Sequence, residues 1–366
     1  MAAAKILGIS PELIIHPGET ISDILEEREL KQKELAQRAG VSEAFLSDVI
    51  HGKKDISKGL AMGLEYALGI PSSFWLNLQA NYDAELLEIQ KESTIHEEEK
   101  GILSRIHEIV DYLKKTACIP GNSTLEQTIL NVRKYLQVSS LTALCNLVPG
   151  GAFRKSDKVK TDPYVLGAWL CLCKVQCAIH RLTQVFDVQR VDELVTRLKE
   201  IMCNHTGDPQ RPLTELFAEF GIDFSIVHNF RGAPVQGYID FKGDGTYQMV
   251  LTIRGAFADI FWFSLFHELG HIVNGDIAKS GRFIDTTDSM NAKREEEADC
   301  FASSALLNQE SYLSFIENEQ FAISDIQEYA KTQNVPSYVV IGRLQREGKI
   351  PYSWYAKYKP KYKWAE

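Results

Sequence analysis

The stretch FWFSLFHELGHIVNGD, residues 261–276, places His267 and His271 four residues apart with Glu268 between them. On a helix, that spacing projects both imidazoles from one face, so they can address one metal ion while Glu268 sits beside a water bound to it. Such a centre performs metal-assisted hydrolysis, with the carboxylate as general base. A catalytic zinc site also needs a third protein ligand and one open position. The segment KREEEADCFASSALL, about two dozen residues on, is a second helix able to provide it. Glu295 and Asp299 are four apart there, so one face can carry both a ligand carboxylate and an acceptor for a histidine N–H.

Other elements must hold these helices together. Gly270 lies inside the motif and permits close approach, and Ala298, Phe301, Ala302 and Ala305 form the packing stripe of the second helix. Upstream, from Gly221, IDFSIVHNF and VQGYIDFKGDGTYQMVLTI are rich in β-branched and aromatic residues, and KGDG marks a hairpin. A small sheet is therefore expected before the motif. Its segment YQMVLTI is expected at an edge, free to pair with an extended substrate.

The HExxH pattern, the preceding sheet and the downstream E-x-x-A-D-x-F-A helix together resemble the ImmA/IrrE-type metallopeptidases over residues 221–307. The resemblance implies Zn²⁺ held by His267, His271 and Glu295, with Glu268 as general base. Glu297 competes as third ligand, because the run EEE blurs the register. VPSYVVIGRLQREGKIPYS resembles the extension that follows in the same fused family. The chain ends in Lys357, Lys359, Lys361 and Lys363 interleaved with Tyr358, Tyr362 and Trp364, a stripe read as a solvated terminus, with contact to nucleic acid or an acidic partner as its alternative.

A different grammar occupies residues 16–72. TISDILEERELK has apolar residues at helical spacing, and QKELAQRAGVSEAFLSDVIHGKKDIS gives a short helix, a turn at Gly40 and a second helix opened by Ser42 as N-cap. Val41, Leu46, Val49 and Ile50 form its inner face; Glu43, Ala44, Ser47, Asp48 and His51 form its outer one. With LEYALGIPSSFWLNLQANYD, the segment resembles Xre-type helix-turn-helix regulators of the HigA antitoxin subgroup. Members of the metallopeptidase family often carry such a module at the N-terminus. The likeness implies that the helix from Ser42 to His51 enters the major groove of double-stranded operator DNA, while Gln32, Lys53 and Lys54 meet phosphates. Its outer face is unusual: Glu43, Ser47 and Asp48 stand where Arg, Lys, Gln or Asn normally read bases.

The formal charge of −9 provides no global footprint for nucleic acid but leaves room for a local DNA-binding module. No uncharged apolar run reaches a membrane-spanning length, and MAAAKILGIS lacks the features of a signal peptide; a cytoplasmic protein with no membrane partner is expected. Seven cysteines without CxxC spacing read as reduced core thiols, with Cys173 and Cys177 as an alternative redox pair. Residues 84–204 read as helical, with no catalytic grouping; His107 and His180 are single histidines.

The expected architecture is multidomain and mainly α. It has a lambda-repressor-like helix-turn-helix (1–83), a helical middle region (84–210), a small α+β zincin-like domain (211–310) and a helical extension (311–366). The expected function is an antitoxin- or stress-response-type transcriptional regulator, acting as a homodimer, whose zinc endopeptidase cleaves a repressor or antitoxin-like protein. The alternative is a non-proteolytic repressor or antitoxin whose zinc domain senses or docks a partner such as a toxin.

Overall fold

The computed structural model describes residues 14–148, 161–177, 182–204, 207–253, 257–277, 289–317, 319 and 321–363 of the 366. His180, Trp364, the first ten residues and the Cys177 side chain lie outside the described residues. The chain divides into two compact units, Met1–His96 and Glu97–Glu366.

In the first unit, α1 (Pro17–Glu27), α2 (Gln32–Ala39), α3 (Glu43–Ile50), α4 (Lys58–Leu68) and α5 (Ser72–Gln90) surround one core. Ile21, Leu35, Leu46, Val49, Leu64 and Trp75 are fully buried in it. The turn between α2 and α3 falls at Gly40 in the left-handed conformation, and Ser42 Oγ accepts the Phe45 amide at 3.1 Å, closing the first turn of α3.

The second unit runs through α6 (Glu97–Arg105), α7 (His107–Lys115), α8 (Leu125–Leu136), α9 (Pro163–Cys177), α10 (Val191–Asn204) and α11 (Gln210–Ala218). Next come β1 (Ile222–Ile226), β2 (Gly237–Phe241) and β3 (Tyr247–Leu251), followed by α12 (Ala258–Val273), α13 (Ser289–Leu306), α14 (Gln309–Glu317), α15 (Ile323–Thr332) and α16 (Ser337–Arg346). Glu99 is fully buried at the start of this unit, where it accepts from Arg133 and, at 2.7 Å, from the Leu141 amide.

The sheet order is β1-β3-β2, with β1 parallel and β2 antiparallel to β3. This corrects the expectation for residues 247–253: the strand proposed as a free edge is the central one. All five β3 residues are buried, whereas β2 is half-exposed at Gly237, Asp240 and Phe241. Burial at every position means that both faces of the strand are covered, as they are for β1 too, so the central place of β3 is set by its pairing on both sides. The hairpin at KGDG is present, with Gly243 and Gly245 both at positive φ.

Phe224, Met249 and Leu251 share one core with Trp262, Leu265, Phe266 and Leu269 of α12. The alternate residues face α9, where Gln248 Nε2 donates to the Cys173 carbonyl at 3.2 Å. The middle helices thus close the second face of the sheet. The lysine–tyrosine terminus also departs from the solvated reading. Pro360 O accepts the Ala258 amide at 2.9 Å, Tyr362 Oη accepts Trp262 Nε1 at 3.1 Å, and Lys359 forms a buried pair with Asp259 at 2.7 Å. The tail is a strap over the start of α12, held because Lys and Tyr stems bury their apolar length.

Candidate metal centre and helix-turn-helix

Helix α12 presents His267 and His271 from one face, and α13 crosses it close enough to bring a carboxylate between them. Gly270 makes that crossing possible: a Cβ there would lie 3.1 Å from Ala298 Cα and 3.2 Å from Ala298 O. Ala298 and Ala302 are fully buried against α12, so Glu295 and Asp299, on the same face, project toward the histidines. Glu297 points elsewhere; it is half-exposed and pairs with Lys293 at 3.7 Å.

One ligand atom from each of His267, His271 and Glu295 falls in a group no more than 4.8 Å across. His267 Nε2 and His271 Nε2 are 3.1 Å apart, and they lie 3.3 and 3.5 Å from the Glu295 oxygens. Bonds of about 2.0–2.1 Å to a tetrahedral ion give ligand–ligand edges of about 3.3 Å, so this donor set fits zinc in both chemistry and spacing.

The other ring nitrogens are anchored. His267 Nδ1 donates to Asp299 at 2.7 Å, and His271 Nδ1 to Asp276 at 2.9 Å, which leaves both Nε2 atoms facing the cluster. Each carboxylate has an arginine behind it: Arg346 donates to Asp299 at 2.6 Å, and Arg294 lies 3.6 Å from Asp276. Burial opposes charge on His267, but the bonds to Asp299 and Glu295 and the field of Glu268 prevail, raising its pKa from 6.5 to about 10. Asp299 is pulled the other way: burial would raise its pKa, yet His267 and Arg346 hold it below the usual carboxylate value. Glu268 is half-buried, and desolvation raises its carboxyl pKa against the lowering influence of the two histidines. Its carboxylate lies against β2, where a Cβ on Gly237 would sit 2.0 Å from Oε1.

Sequence reasoning missed Asp276, Arg294, Arg346 and Gly237. Asp276 was visible at the end of the motif itself, one residue after Gly275 turns the chain back. The arginines and Gly237 come from elements whose placement has no local signal.

In the first unit, α3 exposes Ser42, Glu43, Ala44 and His51, with Ser47 and Asp48 half-buried. Gln32 Nε2 lies 3.4 Å from the Glu43 carbonyl, joining the start of α2 to that of α3. His51 Nδ1 is 2.7 Å from the Ser47 carbonyl. Lys53 and Lys54 are exposed beyond the end of α3, and Lys54 pairs with Asp48 at 2.9 Å. The Lys54 hydrogen bond keeps Asp48 below its usual pKa, so the anionic outer face is partly neutralised from within.

Residues 21–75 match the helix-turn-helix family model, covering α2 and α3 with their supporting helices. This is a helix-turn-helix domain. The "Virulence-associated protein A'" of Dichelobacter nodosus is 39% identical over 69 residues, 19% of this chain and 60% of that protein. The chain thus spans less than two thirds of that relative. Among solved structures, the Pseudomonas aeruginosa protein PA4674, crystallised with its 18-bp operator DNA, is 31% identical over 20% of this chain and 80% of its own, with a TM-score of 0.20. Pseudomonas aeruginosa antitoxin HigA, solved with the higBA promoter, is 29% identical over 23% of this chain and 97% of its own, with a TM-score of 0.21. The family match leaves the second unit, with its histidine–glutamate cluster, outside the helix-turn-helix domain. Among the described residues, no helix is long and apolar enough to cross a membrane.

Proposed function

We propose that this chain is a DNA-binding transcriptional regulator of the antitoxin or stress-response type that carries a zinc-dependent endopeptidase centre. The observation supporting the enzymatic half is the donor set of His267, His271 and Glu295, spaced at tetrahedral edges with both Nδ1 atoms anchored by carboxylates. When bound, zinc supplies Lewis acidity to a peptide carbonyl and to water. The residues do the rest. Asp299 and Asp276 hold the imidazoles in one tautomer and one orientation. Glu268, kept in place by the β2 backbone and raised in pKa by desolvation, is poised to take a proton from attacking water and pass it to the leaving amine.

The regulatory half rests on the helix-turn-helix match. On this reading α3 would enter the major groove of operator DNA, as helix-turn-helix domains do, with Ser42, Glu43, Ser47 and His51 toward bases and Gln32, Lys53 and Lys54 toward phosphates. A homodimer would read two half-sites. The peptidase would act on a repressor or antitoxin-like protein brought to it by this domain.

The deciding experiment is metal analysis with activity. One zinc per chain is expected in the native protein and in Glu268→Gln, but not in His267→Ala or His271→Ala. Hydrolysis of a fluorogenic peptide library should be lost in Glu268→Gln. A native chain that takes up no zinc would refute the peptidase reading; zinc uptake without hydrolysis of any peptide or protein would favour a sensor.

A further inference from the structure

We infer that the cavity beside the metal cluster, between α12, α13, α16 and the C-terminal strap, is the specificity pocket of the peptidase and receives a large apolar side chain of the substrate. This rests on the peptidase reading above. The cavity has a volume of about 460 Å³, within the range of sites that enclose a ligand. Its walls are Ile260, Phe263, Leu306, Leu307 and Val339, contributed by three helices.

Position ties it to the chemistry. Gln236 lines the cavity and immediately precedes Gly237, against which Glu268 rests. Gln236 Nε2 donates to Ser264 Oγ at 2.6 Å, and Ser264 lies one turn before His267 on α12. Across the cavity, Arg346 stacks over Phe263 at 4.2 Å while holding Asp299, the anchor of His267. The lining thus includes Gln236, Ser264 and Arg346, which adjoin Gly237, His267 and Asp299 by one residue, one helical turn and one hydrogen bond respectively. β2 is an edge strand, and among the described residues no strand pairs with its outer side. A peptide extended along that side would place alternate side chains to one face, and the cavity is lined by Gln236, the residue just before the strand.

The charge pattern identifies the occupant. Each cation on the wall is already paired: Arg343 with Glu347 at 2.9 Å, Lys359 with Asp259 at 2.7 Å, and Arg346 with Asp299 at 2.6 Å. A charged group entering the cavity would have to break one of these pairs, whereas an apolar one only displaces solvent from apolar walls.

The test is binding rather than turnover, using Glu268→Gln in zinc-loaded and metal-free forms. The probes are acetyl-Gly-Gly-X-Gly-Gly-amide peptides with X as Leu, Phe, Gly or Glu, read by saturation-transfer NMR. Leu and Phe peptides should bind about 10–100-fold more tightly than Gly or Glu peptides. Ser303→Phe, which puts a ring into the cavity from α13, should abolish that preference, while Ser324→Phe, at an exposed position of α15, should not. Val339→Ala enlarges the cavity and should move the preference from Leu toward Phe. Equal binding of all four peptides, or an unchanged preference in a folded Ser303→Phe, overturns the inference. Apolar preference in a protein that takes up no zinc would retain the pocket and discard the peptidase.

Discussion

Gly270→Ala tests whether the spacing of α12 and α13 sets the metal centre. The added Cβ would lie 3.1 Å from Ala298 Cα, 3.2 Å from Ala298 O and 3.2 Å from Phe301 Cδ1. Carbon atoms pack best at about 3.5–4.0 Å, so the helices must separate locally by about 0.5 Å. Glu295 is one turn from Ala298 and moves with it. Metal–ligand distances tolerate only about 0.2 Å, so zinc affinity should fall about 10–100-fold, the range seen when a ligand's support is disturbed. Stability should change less. Overpacking costs about 1–3 kcal/mol, and replacing a helical glycine by alanine returns about 1 kcal/mol, for a net loss of about 0–2 kcal/mol. The control is Gly101→Ala on α6, where a Cβ meets nothing within 4 Å. It should stabilise slightly and leave zinc untouched. Competition with a chromogenic chelator gives the affinities, and thermal unfolding of the metal-free chains gives the stabilities. A Gly270→Ala chain that binds zinc as tightly as the native one would refute the view that this contact sets the ligand geometry.

Four further outcomes are expected. Asp276→Ala and Asp299→Ala should each weaken zinc binding by about 10–100-fold, because each frees an imidazole to rotate; dialysis against a chelator measures it. With its pKa raised to about 10, metal-free His267 is protonated at neutral pH, so zinc uptake must expel that proton; affinity should rise about tenfold per pH unit below that value, with proton release visible by calorimetry in buffers of different ionisation enthalpy. Lys53→Ala should lower affinity for all DNA alike and reduce the salt slope by about 1, whereas Asp48→Asn, which releases Lys54 from its pair, should tighten non-specific binding; gel shifts at two salt concentrations distinguish them. Glu99→Ala removes the buried carboxylate that accepts from Arg133 and the Leu141 amide, and should cost the second unit about 3–5 kcal/mol in denaturant unfolding.

Local pattern determined a good deal about this protein. The turn at Gly40, the cap at Ser42, the hairpin at KGDG and the shared face of His267 and His271 each follow from interactions within a few residues. Such features need no knowledge of the rest of the chain, because helix periodicity, capping and positive φ are short-range properties. Glu295 and Glu297 could not be separated that way, since both lie on one helix and only the face bearing Ala298 and Ala302 meets α12. Strand order was equally out of reach: residues 247–251 carry no mark saying which neighbours pair with them, and the edge strand β1 is buried just as continuously, so only the pairing itself decides which strand is central. The terminal lysines and tyrosines read as solvent-facing because their types are polar at the tip, while their apolar stems and the acceptor Asp259 decide where they lie. Arg346, Asp276 and Gly237 were assigned no role until the fold placed them around His267, His271 and Glu268. A histidine–glutamate cluster of this kind is encoded in a few residues, but its support comes from contacts between distant elements, which only close packing of the tertiary structure selects.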